Sequence, residues 1–142
     1  MEITAIALQT VAANQNVLFT ETAVGANNSM LHREGSGLVT LRAQSASQCR
    51  ARFRVSFGGN IAVATGETVG PISLAIAING EAIASTTVIE TPTAVGAFSN
   101  VFTSIFLDIP TGCCQTLSVK NVSADDVAVD VQNANLIVER VA

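Results

Sequence analysis

The sequence predicts an all-β sandwich built as a single domain, and three observations carry that prediction. Val, Ile and Thr supply 42 of the 142 residues, against nine Leu and a single Lys. Such stiff β-branched side chains suit a pleated surface better than a helix. The 21 Ala, the one strong helix former present in quantity, alternate with Ile and Val instead of following a helical stripe. Turn residues also recur at intervals of roughly ten positions, the spacing of short sandwich strands.

Strands are expected near residues 3–12, 17–22, 37–43, 49–57, 60–65, 72–78, 82–89, 98–108, 115–121 and 126–140, the last broken near Asn133–Asn135. Residues 1–16 form an N-terminal strand or arm of the one domain spanning 1–142. Gly58–Gly59, Gly66, Gly70–Pro71, Asn79–Gly80, Thr91–Pro92, Gly96 and Pro110-Thr111-Gly112 supply the turns between them. Asn79–Gly80, flanked by Ile76, Ile78 and Ile83, is the preferred pair for a type I′ hairpin. In residues 49–57 Cys49, Ala51, Phe53, Val55 and Phe57 share one face, and Arg50, Arg52, Arg54 and Ser56 share the other. That is a half-buried strand.

The stretch AFSNVFTSIF reads less simply. Phe98, Val101, Phe102, Ile105 and Phe106 recur at helical spacing, yet Ser, Asn, Thr, Val and Phe are indifferent helix formers and Pro110 follows. Read as a strand, it sets Phe98, Phe102 and Phe106 on one face and Val101, Ile105 and Leu107 on the other. In SLAIAI, Leu74, Ile76 and Ile78 oppose Ala75 and Ala77, so neither face is polar, and Ile61–Ala64 repeats the scheme. A two-sided apolar strand is covered on both sides. The cover is either a satellite core under a loop or a neighbouring subunit. The low charge of the chain tips the reading toward the subunit, with Ala75 and Ala77 as its contact.

Charged residues make up 13% of the chain, about half the usual ~25%. So little charge coats a monomer poorly. A net charge of −4 gives no drive toward nucleic acid. No run approaches the ~20 apolar residues of a membrane span, so no membrane insertion is expected. Glu2 and the absence of a basic stretch at the amino terminus argue against a secretory signal, and synthesis in the cytoplasm is expected.

Candidate chemistry is sparse. His32 is the only histidine, in the loop-like stretch Ser29–Gly37 beside Glu34, and no serine sits in a nucleophile elbow. The three Cys show no metal-ligand spacing, and Asp125–Asp126 lack the alternating oxygens of a calcium loop. No catalytic residue, metal or cofactor is therefore expected. Cys49 points toward the core while Cys113 and Cys114 face opposite sides. Free structural thiols are the first expectation, and a bridge from Cys49 to either neighbour is the second. Asn27-Asn28-Ser29 and Asn121-Val122-Ser123 match the glycosylation pattern, which matters only in a secreted chain.

One charge feature is patterned. Arg33, Arg42, Arg50, Arg52 and Arg54 are five of the seven basic residues. Arg50, Arg52 and Arg54 would stand roughly 7 Å apart along one strand face. Such a row needs an answer: carboxylates across the strands or from another subunit, or a bound anion. Without interleaved Tyr, Trp or Lys it is weak support for nucleic-acid binding.

From about Val17 to Ala142 the order of strands and glycine turns resembles the jelly-roll trimers of the tumour necrosis factor and complement globular-head superfamily. The stretches HREGSGLVTLRAQSASQCRARFRVSFGGNIAV, GPISLAIAINGEAIASTTV, IPTGCCQTLSVKNVS and VQNANLIVERVA more closely resemble short proteins of gut bacteria and their bacteriophages. The resemblance implies a jelly-roll β-sandwich of about ten strands and a compact homotrimer with its termini on one side. It further implies a non-enzymatic structural part of a bacteriophage virion: a capsid decoration, head fibre or tail-associated trimer. Other virion proteins would then be its partners. A cell- or spore-surface recognition module binding a host-surface ligand is the alternative.

Overall fold

A computed structural model of the chain describes residues 1–25, 29–43, 50–112 and 114–142. These residues form twelve strands: β1 (Glu2–Ala5), β2 (Gln9–Val11), β3 (Glu21–Val24), β4 (Met30–His32), β5 (Val39–Leu41), β6 (Arg50–Val63), β7 (Ile72–Ile78), β8 (Glu81–Ala82), β9 (Val88–Glu90), β10 (Ser99–Pro110), β11 (Gln115–Asn121) and β12 (Val129–Arg140). Two single 3-10 turns, Ala84–Thr86 and Ala124–Asp126, are the only helical pieces among them. One six-stranded sheet runs β10-β6-β12-β1-β3, with β2 also on β12; the other runs β4-β5-β11-β7-β8, with β9 also on β7. All strand pairs are antiparallel. The two sheets close on Phe19, Phe53, Phe57, Ile61, Leu74 and Leu117, each buried. Alternation of side chains along the longer strands puts one face of each sheet into that core, while β3 and β8 are exposed throughout.

Strand β6 departs from expectation. Two strands separated by a Gly58–Gly59 turn are expected, and a single 14-residue strand runs straight through both glycines. Their role is clearance. A Cβ at Gly58 would lie 3.0 Å from Asn135 Oδ1, and one at Gly59 would lie 3.3 Å from Ala134 Cα. Opposite them the β6–β12 register shifts between Gln132 and Asn135, and Asn133 takes a φ of 54°. The break expected at Asn133–Asn135 is thus a bulge inside a continuous β12, and the glycines leave room for it.

Residues 17–22 were expected as a strand, but pairing starts only at Glu21. Upstream, Val17 and Phe19 are buried, and each bonds a different neighbour: Val17 N donates to the Val119 carbonyl and Phe19 N to the Ser36 carbonyl. Leu18 between them is held by one side chain. Gln9 Nε2 donates to the Leu18 carbonyl at 2.8 Å, and Leu18 N donates to Gln9 Oε1 at 2.9 Å. The segment is a strap across the sandwich. Met30–His32, expected as loop, pairs with β5 instead, and expected strand 82–89 is split by the turn at Ala84–Thr86.

The Asn79–Gly80 hairpin forms as expected. Ala77 pairs with Ala82 and Ile78 with Glu81, and Asn79 and Gly80 have φ of 52° and 83°, both positive as a type I′ turn requires. The stretch 98–106 is strand, not helix. At the far end of β11 the fully buried Asn121 ties the two sheets. Its Nδ2 donates to the Val11 and Val127 carbonyls at 3.0 and 2.9 Å, and its Oδ1 accepts from Ser123 N at 2.9 Å. Asn121→Ala strips buried carbonyls of their donor and should cost about 2–4 kcal/mol in a denaturant titration. A loss under half a kcal/mol would mean that the carbonyls find other partners.

Candidate functional site

The outer face of the β10-β6-β12 sheet gathers the chemistry that the sandwich does not use for its core. Along β6, Ala51, Phe53, Val55 and Phe57 turn inward, so Arg50, Arg52 and Arg54 turn out, as the alternation requires. Register then decides their neighbours. Asp108 lies opposite Arg52, Phe106 opposite Arg54 on β10, and Glu139 opposite Arg54 on β12. Arg52 grips Asp108 with two bonds, Nε to Oδ1 at 2.8 Å and Nη2 to Oδ2 at 3.1 Å. Arg50 Nη1 reaches the same carboxylate at 3.5 Å, and Arg54 Nη1 stands 3.9 Å from Glu139 Oε1. The arginine row is answered by carboxylates within the chain, the first of the expected answers.

Beside this row runs an aromatic stripe. Phe102 and Phe106 stand on the outer side of β10, 63% and 62% exposed, Phe98 lies just before the strand at 43%, and Ile137 on β12 adds a further 39%-exposed apolar group. Positions four apart on a strand are roughly 13 Å apart, so the stripe spans most of the sheet. Gly58 lies opposite Phe102 without a side chain to separate them. Between the rings the face is polar but satisfied: Ser56 and Ser104 hydroxyls bond at 2.9 Å, and Asn100 Nδ2 donates to Asn60 Oδ1 at 3.1 Å. An open hollow of about 420 Å³ lined by Arg52, Phe106 and Asp108 joins the aromatic stripe to the charged row.

The remaining expectations fare differently. Ala75 and Ala77, expected at a subunit contact, are covered inside the chain, at 1% and 0% exposure. Ala75 pairs with Lys120 and Ala77 with Ser118. The Lys120 side chain donates from Nζ to the Gly80 carbonyl at 3.1 Å. Arg at 77 would therefore bury a charge within the fold. His32 bonds through Nε2 to the Ser36 carbonyl at 2.9 Å, while Glu34 accepts from Thr22 N, so the two do not meet as a catalytic pair. Among the described residues no group of three His, Cys, Asp or Glu is placed to hold a metal ion. Cys114 is exposed and free; Cys49, Cys113 and the Asn27–Asn28 pair lie outside the described residues. Asn121, in the second glycosylation pattern, has its amide committed to the core.

No protein-family model matches the chain, and no curated protein matches it in sequence. The fold has clear structural counterparts. The globular domain of zebrafish complement 1qA superposes with a TM-score of 0.60 at 9% identity, over 99% of this chain and 95% of that one. The sandwich accordingly shares the jelly-roll fold of that complement domain. Rabbit GITRL lies further away, with a TM-score of 0.40 at 14% identity over 78% of each chain. A β-glucosidase from Paenibacillus barengoltzii gives 0.39 at 14% identity over 72% of this chain and only 9% of its own.

The Asp108 cluster makes a measurable claim. The bidentate bond from Arg52 holds the Asp108 carboxyl below the ordinary value of 3.8, against an opposing push from burial and with help from the charges of Arg52 and Arg50. A carboxyl depressed on folding contributes stability that is whole above its unfolded value and fades as pH falls through the folded one. NMR titration should place the Asp108 midpoint below the usual aspartate range, and Arg52→Met should move it up. An unchanged midpoint in the variant would remove Arg52 as the cause.

Proposed function

We propose that this chain is a non-enzymatic structural subunit that works as a self-associated assembly, joined through the outer face of the β10-β6-β12 sheet. One observation carries the reading: Phe98, Phe102, Phe106 and Ile137 stand together, solvent-exposed, on one side of one sheet. Exposed aromatics aligned on one face of a chain with only 18 charged residues are a liability in a monomer and an asset in an interface. Closed symmetry hides such a face without leaving a free copy of it to propagate. The carboxylate-answered arginine row at its margin supplies the charged rim that orients partners.

Three copies is the number favoured, on the sequence resemblance to jelly-roll trimers. The same resemblance supports the role: a decoration, head-fibre or tail-associated part of a bacteriophage virion. Mass spectrometry of purified particles from a phage encoding the chain tests that role. Its presence there supports it, and its recovery only from a cell-surface or spore fraction would favour the recognition module instead.

For the assembly itself, light scattering at micromolar concentration should give a mass near three chains, and the interface should bury well over ~2,000 Å² in total. Phe102→Arg should release folded monomers with an unchanged circular dichroism spectrum. Ala77→Arg should lower stability instead. A monomeric unmodified chain would overturn the proposal.

A further inference from the structure

We propose that the Asn79–Gly80 turn is a self-modifying site, at which the folded chain converts Asn79 to aspartate and isoaspartate by an intramolecular cyclisation. Of the ten Asn in the chain, only Asn79 precedes a glycine. Both turn residues are exposed to water, and beyond the two adjoining residues no atom lies within 4 Å of the place a Cβ on Gly80 would occupy. The Gly80 nitrogen is thus the least hindered backbone nucleophile that an Asn side chain can meet here.

The fold adds what the dipeptide alone lacks. Asn79 Oδ1 accepts from Thr116 N at 3.0 Å and from the Thr116 hydroxyl at 3.4 Å. A backbone N–H can only donate, so chemistry identifies the accepting atom as oxygen and fixes the orientation of the amide. Two donors on that oxygen polarise the Cγ carbonyl, and they stand where negative charge develops when a nucleophile adds to it. Lys120 Nζ, 3.1 Å from the Gly80 carbonyl, places a cation on the peptide that follows the attacking nitrogen. The Asn79 N–H bond to the Thr116 carbonyl, 2.8 Å, anchors the electrophile to β11.

The balance needs only water. The Gly80 nitrogen gives up its proton and bonds to Cγ, the Cγ–Nδ2 bond breaks, and ammonia leaves. Water then opens the five-membered imide at either carbonyl. Opening at the backbone carbonyl yields isoaspartate, which lengthens the main chain by one carbon inside a two-residue turn whose register it must disturb.

Incubating the native protein at mildly alkaline pH and mapping deamidated peptides by mass spectrometry tests this, with the same chain unfolded in guanidinium as reference. Residue 79 should deamidate at least as fast native as unfolded, and faster as pH rises. Thr116→Val should slow the native rate several-fold and leave the unfolded rate unchanged, while Thr116→Ser restores it. A native rate below the unfolded one, or a native Thr116→Val rate equal to the parent's, would overturn the proposal: the turn would then merely contain the dipeptide or protect it.

Discussion

Strand β6 is the constraint on which the rest of the molecule depends. It is bonded on both sides, to β10 from Arg50 to Ile61 and to β12 from Phe53 to Val63. Its period of two writes both surfaces at once: Phe53, Val55 and Phe57 inward, Arg50, Arg52 and Arg54 outward. A slip of one residue against either neighbour would bring the arginines into the core. The bulge in β12 and the glycines facing it are therefore more than a local irregularity. They hold the two halves of the long ladder in the one register that suits both faces.

Much of this was legible in the residues, and the failures have physical causes. Alternation marked the β6 faces, and the Asn79–Gly80 pair marked its hairpin, because both signals are local. Gly58–Gly59 misled because glycine serves turns and close approach equally well, and only the partner strand tells which. Residues 17–22 misled because Val17 and Phe19 are buried with strand-like alternation while their backbone bonds scatter to different elements. Pattern records burial, not pairing.

The site shows the same limit. SLAIAI and Ile61–Ala64 read as apolar on both faces, and both prove buried within the chain, while the exposed apolar face belongs to β10. Ala75 and Ala77 are covered within the chain, whereas Phe102 and Phe106 stay 63% and 62% exposed. Phe102 faces Gly58, which has no side chain, and Phe106 faces Arg54, whose guanidinium stands 3.9 Å from Glu139. The aromatic stripe was visible as Phe98, Phe102 and Phe106 on one face. What was missing was the knowledge that Val101, with Ile105 and Leu107 leaning on the core, had already filled the inside.

The place of β12 carries a consequence for how the chain reaches this structure. It is the last strand in sequence, yet it lies inside its sheet, between β6 and β1, with Glu2 opposite Ile137. Until it arrives, β6 and β1 each present an unpaired edge, and the sheet exists as two separated halves. Pairing Glu2 with Ile137 closes a loop of well over a hundred residues, which slows folding. On the ribosome β6 and β1 must therefore wait for β12 with open edges, the form most prone to pairing with another chain.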